Sequence, residues 1–409
     1  MKAPTDWKRT LLHHVAEVRS GLSKSSKREG PTIRRPYLRV ANVQDGFLDL
    51  SEIKEIDVPE NQVARFTLKP GDLLLIEGNG NPENLGRGCI WGGQIPDCVH
   101  QNHVFAVRTL PDAEMLPVFL ALQLQSDHGR NYLLSCAKGS TGLSTLNSSQ
   151  LKEFPVVAPT IAEQESIAEA IATWDAAIEK TEQLIAAKER HYSHELSRLI
   201  SRGQHSHGHI GTFAEEVSAR NRGGKWRTVP LSDIATVWKG QQLNKDAMVE
   251  DGAYCALNGG IKPSGRTTQW NCEADTITVS SGGNSCGFIR FNPERFWCGG
   301  DCFALKKLSA DVDVSYLFHY LKGQQHRMMA LRTGSGIPHV YRGDVETFPV
   351  LLPDLDTQTA IARYLNALRE EIDLLGQSVA ALKTQKRGLM QKLLTGQWRL
   401  PLQEEATTA

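Results

Sequence analysis

The side chains of this chain that could bind a metal or act on a nucleotide are few, and their spacing is poor. The segment HSHGH at residues 205–209 could chelate a transition metal, and Cys298 with Cys302 could share one. HSHGH is equally explained as a polar linker, and the two cysteines as small residues at strand ends, so we expect no metal here. The segment GGKWR from Gly223 comes nearest to a phosphate-binding loop but lacks its spacing and its hydroxyl residue. The sequence therefore predicts no metal centre and no nucleotide site.

Catalysis on DNA would need other motifs, and these are also missing. An enzyme that methylates a flipped base needs Asn or Asp followed by two prolines and an aromatic residue, whereas NPEN from Asn81 and NPER from Asn292 continue with glutamate. The PD pairs at Pro111 and Pro353 lack the acidic-x-Lys element with which a nuclease would hold its ion. We therefore expect a chain without catalytic residues.

The polar loops suit a different chemistry, which is hydrogen bonding to nucleic-acid bases and phosphates. Arg and Lys pair with guanine edges and phosphates, and Asn and Gln pair with adenine, so loops that mix these types can read DNA directly. Most polar loop residues are simply solvated, and we expect only some of the candidates to touch DNA. The candidates are Lys27, Arg34, Arg35, Asn79, Asn81, Gln101, Asn102, Lys138, Ser140, Thr141, Ser144, Asn147, Lys262, Arg266, Asn284, Arg332, Ser335, His339, Tyr341 and Arg342.

The candidate loops recur because the chain repeats itself, and four blocks return in the same order. These are WKRTLLHHVAEVRSG and WRTVPLSDIATVWKG, GDLLLIEGNGN and ADTITVSSGGN, FAV and FAL, and finally KGSTGLSTLNSSQLKEFPV and RTGSGIPHVYRGDVETFPV. Within each copy, short apolar runs bounded by Gly, Asn and Pro predict strands, and short amphipathic helices are mixed in. The economical prediction is an α+β domain that is duplicated.

A long helix follows each copy. From Ile361 to Leu393 apolar residues recur in steps of four and three, which is the seam of a coiled coil, and Ile167 to Leu199 repeat it less cleanly. Thr160 with Glu163 forms a capping box, and Asp354 can cap the second helix. Forty helical residues span about 60 Å, so we expect the two helices to pair antiparallel as a spacer. Dimerisation between chains is the alternative, but it leaves the duplicated domains unexplained.

Composition limits the remaining possibilities. The 46 Lys and Arg balance 46 Asp and Glu, although the first forty residues carry ten basic side chains against three acidic ones. The eight cysteines form no CxxC pair, and no apolar run approaches the roughly 18 residues of a membrane helix, so a cytoplasmic protein with reduced thiols is expected. We divide the chain into recognition domain 1 (1–158), helix 1 (159–203), a linker (204–224), recognition domain 2 (225–352), helix 2 (353–399) and a tail (400–409).

The segments FPVVAPTIAEQESIA and FPVLLPDLDTQTAIA, each between a globular unit and a helix, and the closing LKTQKRGLMQKLLTGQWRL resemble the DNA specificity subunit of type I restriction-modification systems. The resemblance covers nearly the whole chain. It implies two target recognition domains, each reading one half of a split DNA site. It also implies that the long helices pair as an antiparallel coiled coil, set the gap between the half-sites and dock two methyltransferase subunits.

The resemblance further implies that this chain performs no chemistry and carries no cofactor. Adenine methylation with S-adenosylmethionine belongs to the modification subunits of such complexes, and ATP- and Mg²⁺-dependent translocation and cleavage to their restriction subunits. The docking residues that the resemblance implies are Glu163, Gln164 and Gln358. Two departures distinguish the copies, because the first reads APT in place of a Leu-Pro-Pro-like run and the second has Thr357 where the first has Glu163.

Two alternatives to a DNA-recognition subunit stay open at this point. One is a self-contained methyltransferase or nuclease with divergent motifs, which binding of S-adenosylmethionine by the isolated chain would favour. The other is a coiled-coil scaffold whose globular domains bind protein. A scaffold would show no DNA affinity that falls with salt, whereas phosphate contacts require such a dependence.

Overall fold

The computed structural model describes residues 4–24, 30–79, 86–136, 144–200, 226–334 and 336–401. The chain forms two compact units. Unit 1 consists of Met1–Lys180 with Val379–Ala409, and unit 2 consists of Thr181–Ser378. Each unit therefore contains one copy of the duplicated sequence together with part of each long helix.

In unit 1 a four-stranded antiparallel sheet has the order β2-β9-β5-β7, and a three-stranded sheet has the order β4-β3-β8. Strand β1 pairs with β11, and β6 pairs with β10. The strands are β1 Lys8–Leu11, β2 Ala16–Ser20, β3 Thr32–Leu38, β4 Lys54–Pro59, β5 Leu73–Ile76, β6 Gly78–Asn79, β7 Gly88–Ile90, β8 Val99–His100, β9 Val104–Thr109, β10 Ser144–Thr145 and β11 Pro155–Ala158. The helices are α1 Leu12–Val15, α2 Val63–Phe66, α3 Pro117–Gln125, α4 Asp127–Cys136, α5 Ser148–Lys152 and the long α6 Ile161–Ile200.

Unit 2 repeats this plan with a four-stranded sheet β13-β19-β16-β17 and a three-stranded sheet β15-β14-β18, while β12 pairs with β20. The strands are β12 Arg227–Pro230, β13 Thr236–Lys239, β14 Tyr254–Leu257, β15 Gly265–Thr267, β16 Thr276–Ser280, β17 Ile289–Asn292, β18 Phe296–Cys298, β19 Cys302–Lys306 and β20 Pro349–Leu352. The helices are α7 Val314–Gly323, α8 Gln325–Ala330, α9 Arg342–Glu346 and the long α10 Leu355–Leu394.

The register of the strands confirms the repeated blocks residue by residue. Val18 faces Val107 in the first copy, and Val237 faces Leu305 in the second, so FAV and FAL occupy equivalent strands, β9 and β19. The backbone N–H of Leu12 donates to the carbonyl oxygen of Phe154, and that of Leu231 donates to Phe348. The opening block of each copy is thus held against its own FPV segment, which explains why both are kept in both copies.

The closing glycine of the first block is required by a close approach of two backbones. A Cβ at Gly21 would overlap the carbonyl oxygen of His100, and a Cβ at Gly240 would overlap that of Gly299. Next to each glycine the chain is fastened by a backbone hydrogen bond, from Leu22 to His100 and from Gln241 to Cys298. No larger residue fits at either place without moving a strand.

The long helices pack within each unit as an antiparallel pair. In unit 1 the beginning of α6, at Ile167 and Ile171, shares a core with Leu393 near the end of α10. In unit 2 the end of α6, at Leu199, shares a core with Ile361 near the beginning of α10. The start of one helix meets the end of the other in both units, so the predicted seam and its antiparallel direction are confirmed.

Two polar residues predicted in or beside the seam make ion pairs between the helices. The ammonium group of Lys188 lies 2.7 Å from Glu371 in unit 2, and that of Lys386 lies 2.5 Å from Asp175 in unit 1. Such charged pairs contribute little stability at a partly exposed helix surface, but they penalise other registers of the two helices. Of the described helices, none is long and apolar enough to cross a membrane.

Candidate nucleic-acid interface

In unit 1, three polar segments that lie far apart in the sequence meet where strand β5 ends. The backbone N–H of Glu77 donates to the carbonyl oxygen of His103 (2.9 Å), and the carbonyl oxygen of Glu77 accepts from Leu146 (2.7 Å). Strand β6, which follows Glu77, pairs with β10. The described parts of EGNGN and HQNH, together with the segment before FPV from Ser144 onwards, therefore form one cluster of loops, which we call loop cluster 1.

Unit 2 brings the equivalent segments together with the same hydrogen bonds. The backbone N–H of Ser281 donates to Asp301 (2.8 Å), and its carbonyl oxygen accepts from Val340 (3.0 Å). The hydroxyl of Ser280 also donates to the carbonyl oxygen of Gly259, which adds the segment NGGIKPSGR. We call this group loop cluster 2. The duplication thus preserves the convergence of the candidate loops as well as their sequence.

Glycines in loop cluster 2 permit these close contacts. Gly282 pairs with His339 in an isolated β-bridge, and a Cβ at Gly282 would lie 3.1 Å from Cε1 of the His339 ring. Gly334 adopts φ 109°, which a residue with a side chain rarely adopts. The ring of His339 therefore lies against bare backbone, where a substitution at Gly282 would displace it.

The candidates of loop cluster 1 whose side chains the structure describes already have partners within the unit. The side-chain amide of Asn102 lies 3.3 Å from Nε2 of His103, whose Nδ1 lies 2.6 Å from a carboxylate oxygen of Glu77. Gln101 accepts a long hydrogen bond of 3.4 Å from the backbone N–H of Val40. Asn147 caps α5 by accepting from the backbone N–H of Gln150 (2.8 Å). Asn147 thus has a structural role that loop composition did not predict.

The two arginines of β3 differ in how firmly they are held. The Arg34 guanidinium pairs with Glu55 (2.7 Å), with both side chains exposed. The Arg35 guanidinium donates to Asp97 (2.7 Å) and is mostly buried, and its Nε lacks a hydrogen-bond partner within the described part of the chain. An exposed pair exchanges partners at little cost. Arg34 is therefore the better of the two for a phosphate.

The second copy leaves more of its candidates on the surface. Lys262, Asn284, Arg332 and Tyr341 are exposed. By contrast, the Arg266 guanidinium donates to the carbonyl oxygens of two residues, 252 and 253, at 2.5 and 3.0 Å and so fixes a turn. Other candidates are partly occupied as well, because Arg342 pairs with Glu346 along α9 (2.7 Å) and Tyr341 precedes that helix as its N-cap.

Some candidates cannot be placed. Lys27, Asn81, Lys138, Ser140, Thr141 and Ser335 lie outside the described residues, as does the HSHGH segment. For Asn79 and Ser144 only the backbone is described, and it places them opposite each other in the β6–β10 pair.

The residues for which the resemblance implies docking, Gln164 and Gln358, are fully buried inside their own units, and their role in docking stays a prediction. The Gln164 amide donates to the carbonyl oxygens of Glu114 (2.8 Å) and Pro159 (2.9 Å) and accepts from the Leu116 N–H (2.9 Å). The Gln358 amide makes the same three bonds, accepting from the N–H of residue 313 and donating to the carbonyl oxygens of residues 311 and 353, each at 2.9 Å. Both glutamines thus fasten a long helix to its own domain.

Glu163, the third expected docking residue, is also buried, and its carboxylate accepts two hydrogen bonds from the Arg399 guanidinium, at 2.9 and 2.8 Å. Arg399 donates in addition to Asp6 (2.7 Å), so the end of the chain is tied to its beginning within unit 1. The predicted caps form, since Thr160 and Asp354 accept from the backbone N–H groups of Glu163 and Thr357. The Glu163 side chain binds Arg399, however, and the expected capping box is not its main role.

Three residues that sequence reasoning missed take part in loop cluster 2. The Lys239 ammonium donates to the hydroxyl of Ser281 (3.2 Å), and the Arg290 guanidinium donates to the carbonyl oxygen of Ile261. Ile337 is exposed beside His339. Lys239 and Arg290 lie on strands, and only the strand pairing brings them to the loops, so no local motif signals them.

No group of three or more potential metal ligands occurs among the residues that the structure describes. Cys298 ends β18 and Cys302 begins β19, and both are buried with Cys272 in a small apolar cluster. Hydrogen bonds that the Cys298 thiol donates to Cys272 and Cys302, together with burial, raise the pKa of Cys298. Burial likewise raises the pKa of Cys89 and Cys98 to about 12. These three thiols are therefore neutral and poor nucleophiles at neutral pH.

Two copies of one α+β domain, each with a cluster of polar loops and each fastened to an antiparallel pair of long helices, define a duplicated recognition protein. Residues 4–189 and 223–384 match the family model of the type I restriction modification DNA specificity domain, and the chain belongs to this family. The family supplies the non-catalytic subunits that give type I restriction-modification complexes their DNA sequence specificity, and this is the function of the chain.

Individual relatives agree with this assignment. The chain is 23% identical over 416 residues to a putative type I restriction enzyme MjaX specificity subunit of Methanocaldococcus jannaschii, covering 97% of this chain and 95% of the relative. It is 28% identical over 156 residues to the type I restriction enzyme EcoKI specificity subunit of Escherichia coli, covering 37% of this chain and 32% of the relative. The fold matches the crystal structure of a type I restriction-modification S subunit from M. genitalium with a TM-score of 0.61 at 18% identity, over 96% of this chain and 98% of the other.

Proposed function

We propose that loop cluster 1 and loop cluster 2 each read one half of a bipartite DNA site, and that the antiparallel long helices fix the gap between the halves. The observation that carries this proposal is the repeated convergence of the same segments, through equivalent hydrogen bonds at Glu77 and Ser281. A duplicated reader is what a site with two separate halves requires. Arg and Lys then serve guanine edges and phosphates, and Asn and Gln serve adenine.

The partners follow from the same division of labour. Two methyltransferase subunits would dock on the long helices and methylate adenine with S-adenosylmethionine, while restriction subunits would use ATP and Mg²⁺, all in the cytoplasm. Since Gln164 and Gln358 are buried, exposed residues of the helices would make these contacts. The chain has no net charge, so we expect weak specific binding by the chain alone and tighter binding once methyltransferase subunits enclose the duplex.

The experiment is to co-express the chain with its methyltransferase subunits and to map N6-methyladenine at single-base resolution. We expect a split motif with a fixed gap. Arg332→Ala with His339→Ala should relax or abolish one half of the motif, and Asn102→Ala should affect only the other half. Arg295→Ala is the matched control, because Arg295 is an exposed arginine of unit 2 that pairs with Glu273 and not with the loops. A continuous motif, or a motif altered in both halves by a variant of one unit, would contradict the proposal.

A further inference from the structure

Loop cluster 2 carries large apolar side chains that nothing within its unit covers. Ile337 is 68% exposed, the highest value of any large apolar side chain among the described residues, and in the same loops Tyr341 is 61% and Ile261 57% exposed. A single exposed isoleucine would need no explanation. Three large apolar side chains exposed in one group of loops form a surface patch suited to binding.

The backbone contacts bring Ile261 and Ile337 to the same place. Ile337 directly precedes Pro338, whose carbonyl oxygen accepts from the backbone N–H of Gly283 (3.0 Å). Ile261 lies two residues after Gly259, and a Cβ at Gly259 would lie 3.3 Å from the carbonyl oxygen of Gly282. Both isoleucines thus flank the segment 280–284, on which the two loops converge.

The surroundings of the patch indicate what covers it. Lys262, Asn284 and Arg332 are exposed beside it, and the His339 ring lies on Gly282. Cationic and amide side chains in the same loops as exposed apolar ones suit a DNA groove, where the former meet phosphates and base edges and the latter meet apolar groups of the bases. On the base edges of the major groove, the apolar group is the 5-methyl group of thymine.

We propose that Ile337, supported by Ile261, makes an apolar contact with the 5-methyl group of a thymine in the half-site that unit 2 reads. This inference rests on the proposed function and makes it more specific, because it assigns an A·T base pair to that half-site. The polar residues of the cluster orient the duplex, and the isoleucine distinguishes thymine from cytosine at one position.

The test uses the complex purified with its methyltransferase subunits and DNA that carries the mapped site. In the half-site altered by changes at Arg332 and His339, each thymine is replaced singly by deoxyuridine, which removes only the methyl group. The Kd is measured at one salt concentration. For the wild-type complex we expect one position at which deoxyuridine weakens binding about fourfold, the ratio for losing one buried methyl group. In Ile337→Ala the Kd values for thymine and deoxyuridine at this position should become equal.

The controls separate this contact from a general loss of affinity. Phe47→Ala removes a similarly exposed side chain of unit 1, at 62%, and should keep the fourfold ratio at this position, which unit 2 reads. Ile337→Val should keep part of it. Since Ile337 is exposed, its replacement should leave the melting temperature unchanged, and Ile261→Ala, measured in the same way, provides a second variant that should lower the ratio.

Several outcomes would overturn the inference and leave the proposed function intact. These are a half-site without any A·T pair, a wild-type complex that is insensitive to deoxyuridine, and an Ile337→Ala complex that keeps the fourfold ratio. A loss of affinity in Ile337→Ala that is equal for thymine and deoxyuridine, with no wild-type preference, would instead indicate a wedge between base steps. Failure of the proposed function would look different, because no split motif would be found at all.

Discussion

The buried glutamine at the start of each long helix provides a quantitative test of the duplication. Gln358→Ala removes one acceptor for the N–H of residue 313 and two donors to the carbonyl oxygens of residues 311 and 353. A typical intramolecular hydrogen bond contributes about 1 kcal/mol net, so we expect a loss of about 3 kcal/mol in the free energy of unfolding of unit 2. In a unit of about 200 residues this lowers the melting temperature by about 6–12 °C.

Urea unfolding and amide hydrogen exchange measure this effect globally and locally. Gln358→Ala should expose the amide of Asp313 to exchange and leave that of Leu116 protected, whereas Gln164→Ala should do the reverse at a similar cost in stability. Gln377→Ala changes an exposed glutamine of the same helix and should stay within about 0.5 kcal/mol. If Gln358→Ala cost no more than this control, the role assigned to both glutamines would be refuted.

Three further predictions concern charge, pH and backbone space. Burial lowers the pKa of His319 from 6.5 to about 4. As the pH falls from about 6.5 towards 4, the unfolded chain therefore takes up a proton that the folded chain does not, and unit 2 loses stability. Urea unfolding midpoints measured over this pH range should fall less for His319→Gln than for the wild type. Replacing Arg399 with alanine should lower the melting temperature more when residue 163 is glutamate than in the Glu163→Gln background, because only the glutamate then leaves a buried carboxylate unpaired. Equal losses in the two backgrounds would show that Glu163 and Arg399 are not coupled. Gly240→Ala should cost about 1–3 kcal/mol in urea unfolding through overlap with Gly299, whereas Gly343→Ala, with open space around it, should be neutral.

Much of the fold could be predicted from the sequence because its signals are periodic or repeated. The steps of four and three from Ile361 gave the seam of the second helix, and the FPV echo gave the order of the domains. Strand β5 was recognisable as a short run of apolar residues. Leu73 and Leu75 pack into one core and Leu74 and Ile76 into another, so this strand is apolar on both faces.

The site was predicted at the level of segments and not of side chains. Composition identified the loops that converge, but whether a polar residue faces solvent depends on long-range contacts. The side chain of Asn147 caps a helix, and that of Arg266 stabilises a turn. Gln164 was noticed because it recurs, yet its burial depends on α3 beginning beside it, which no local pattern predicts. Ile337 is apolar, so a search for polar loop residues does not find it even though it is exposed.

The division of the long helices between the units affects the order in which the protein is built. Unit 2 is one continuous stretch that is complete when Ser378 leaves the ribosome, whereas unit 1 still lacks Val379–Ala409. At about 5–20 residues per second this remainder takes a few seconds to synthesise. Unit 1 is therefore begun first and completed last, because Glu163 has its partner only once Arg399 has been synthesised. A stop codon late in the gene would accordingly damage the first recognition domain and spare the second.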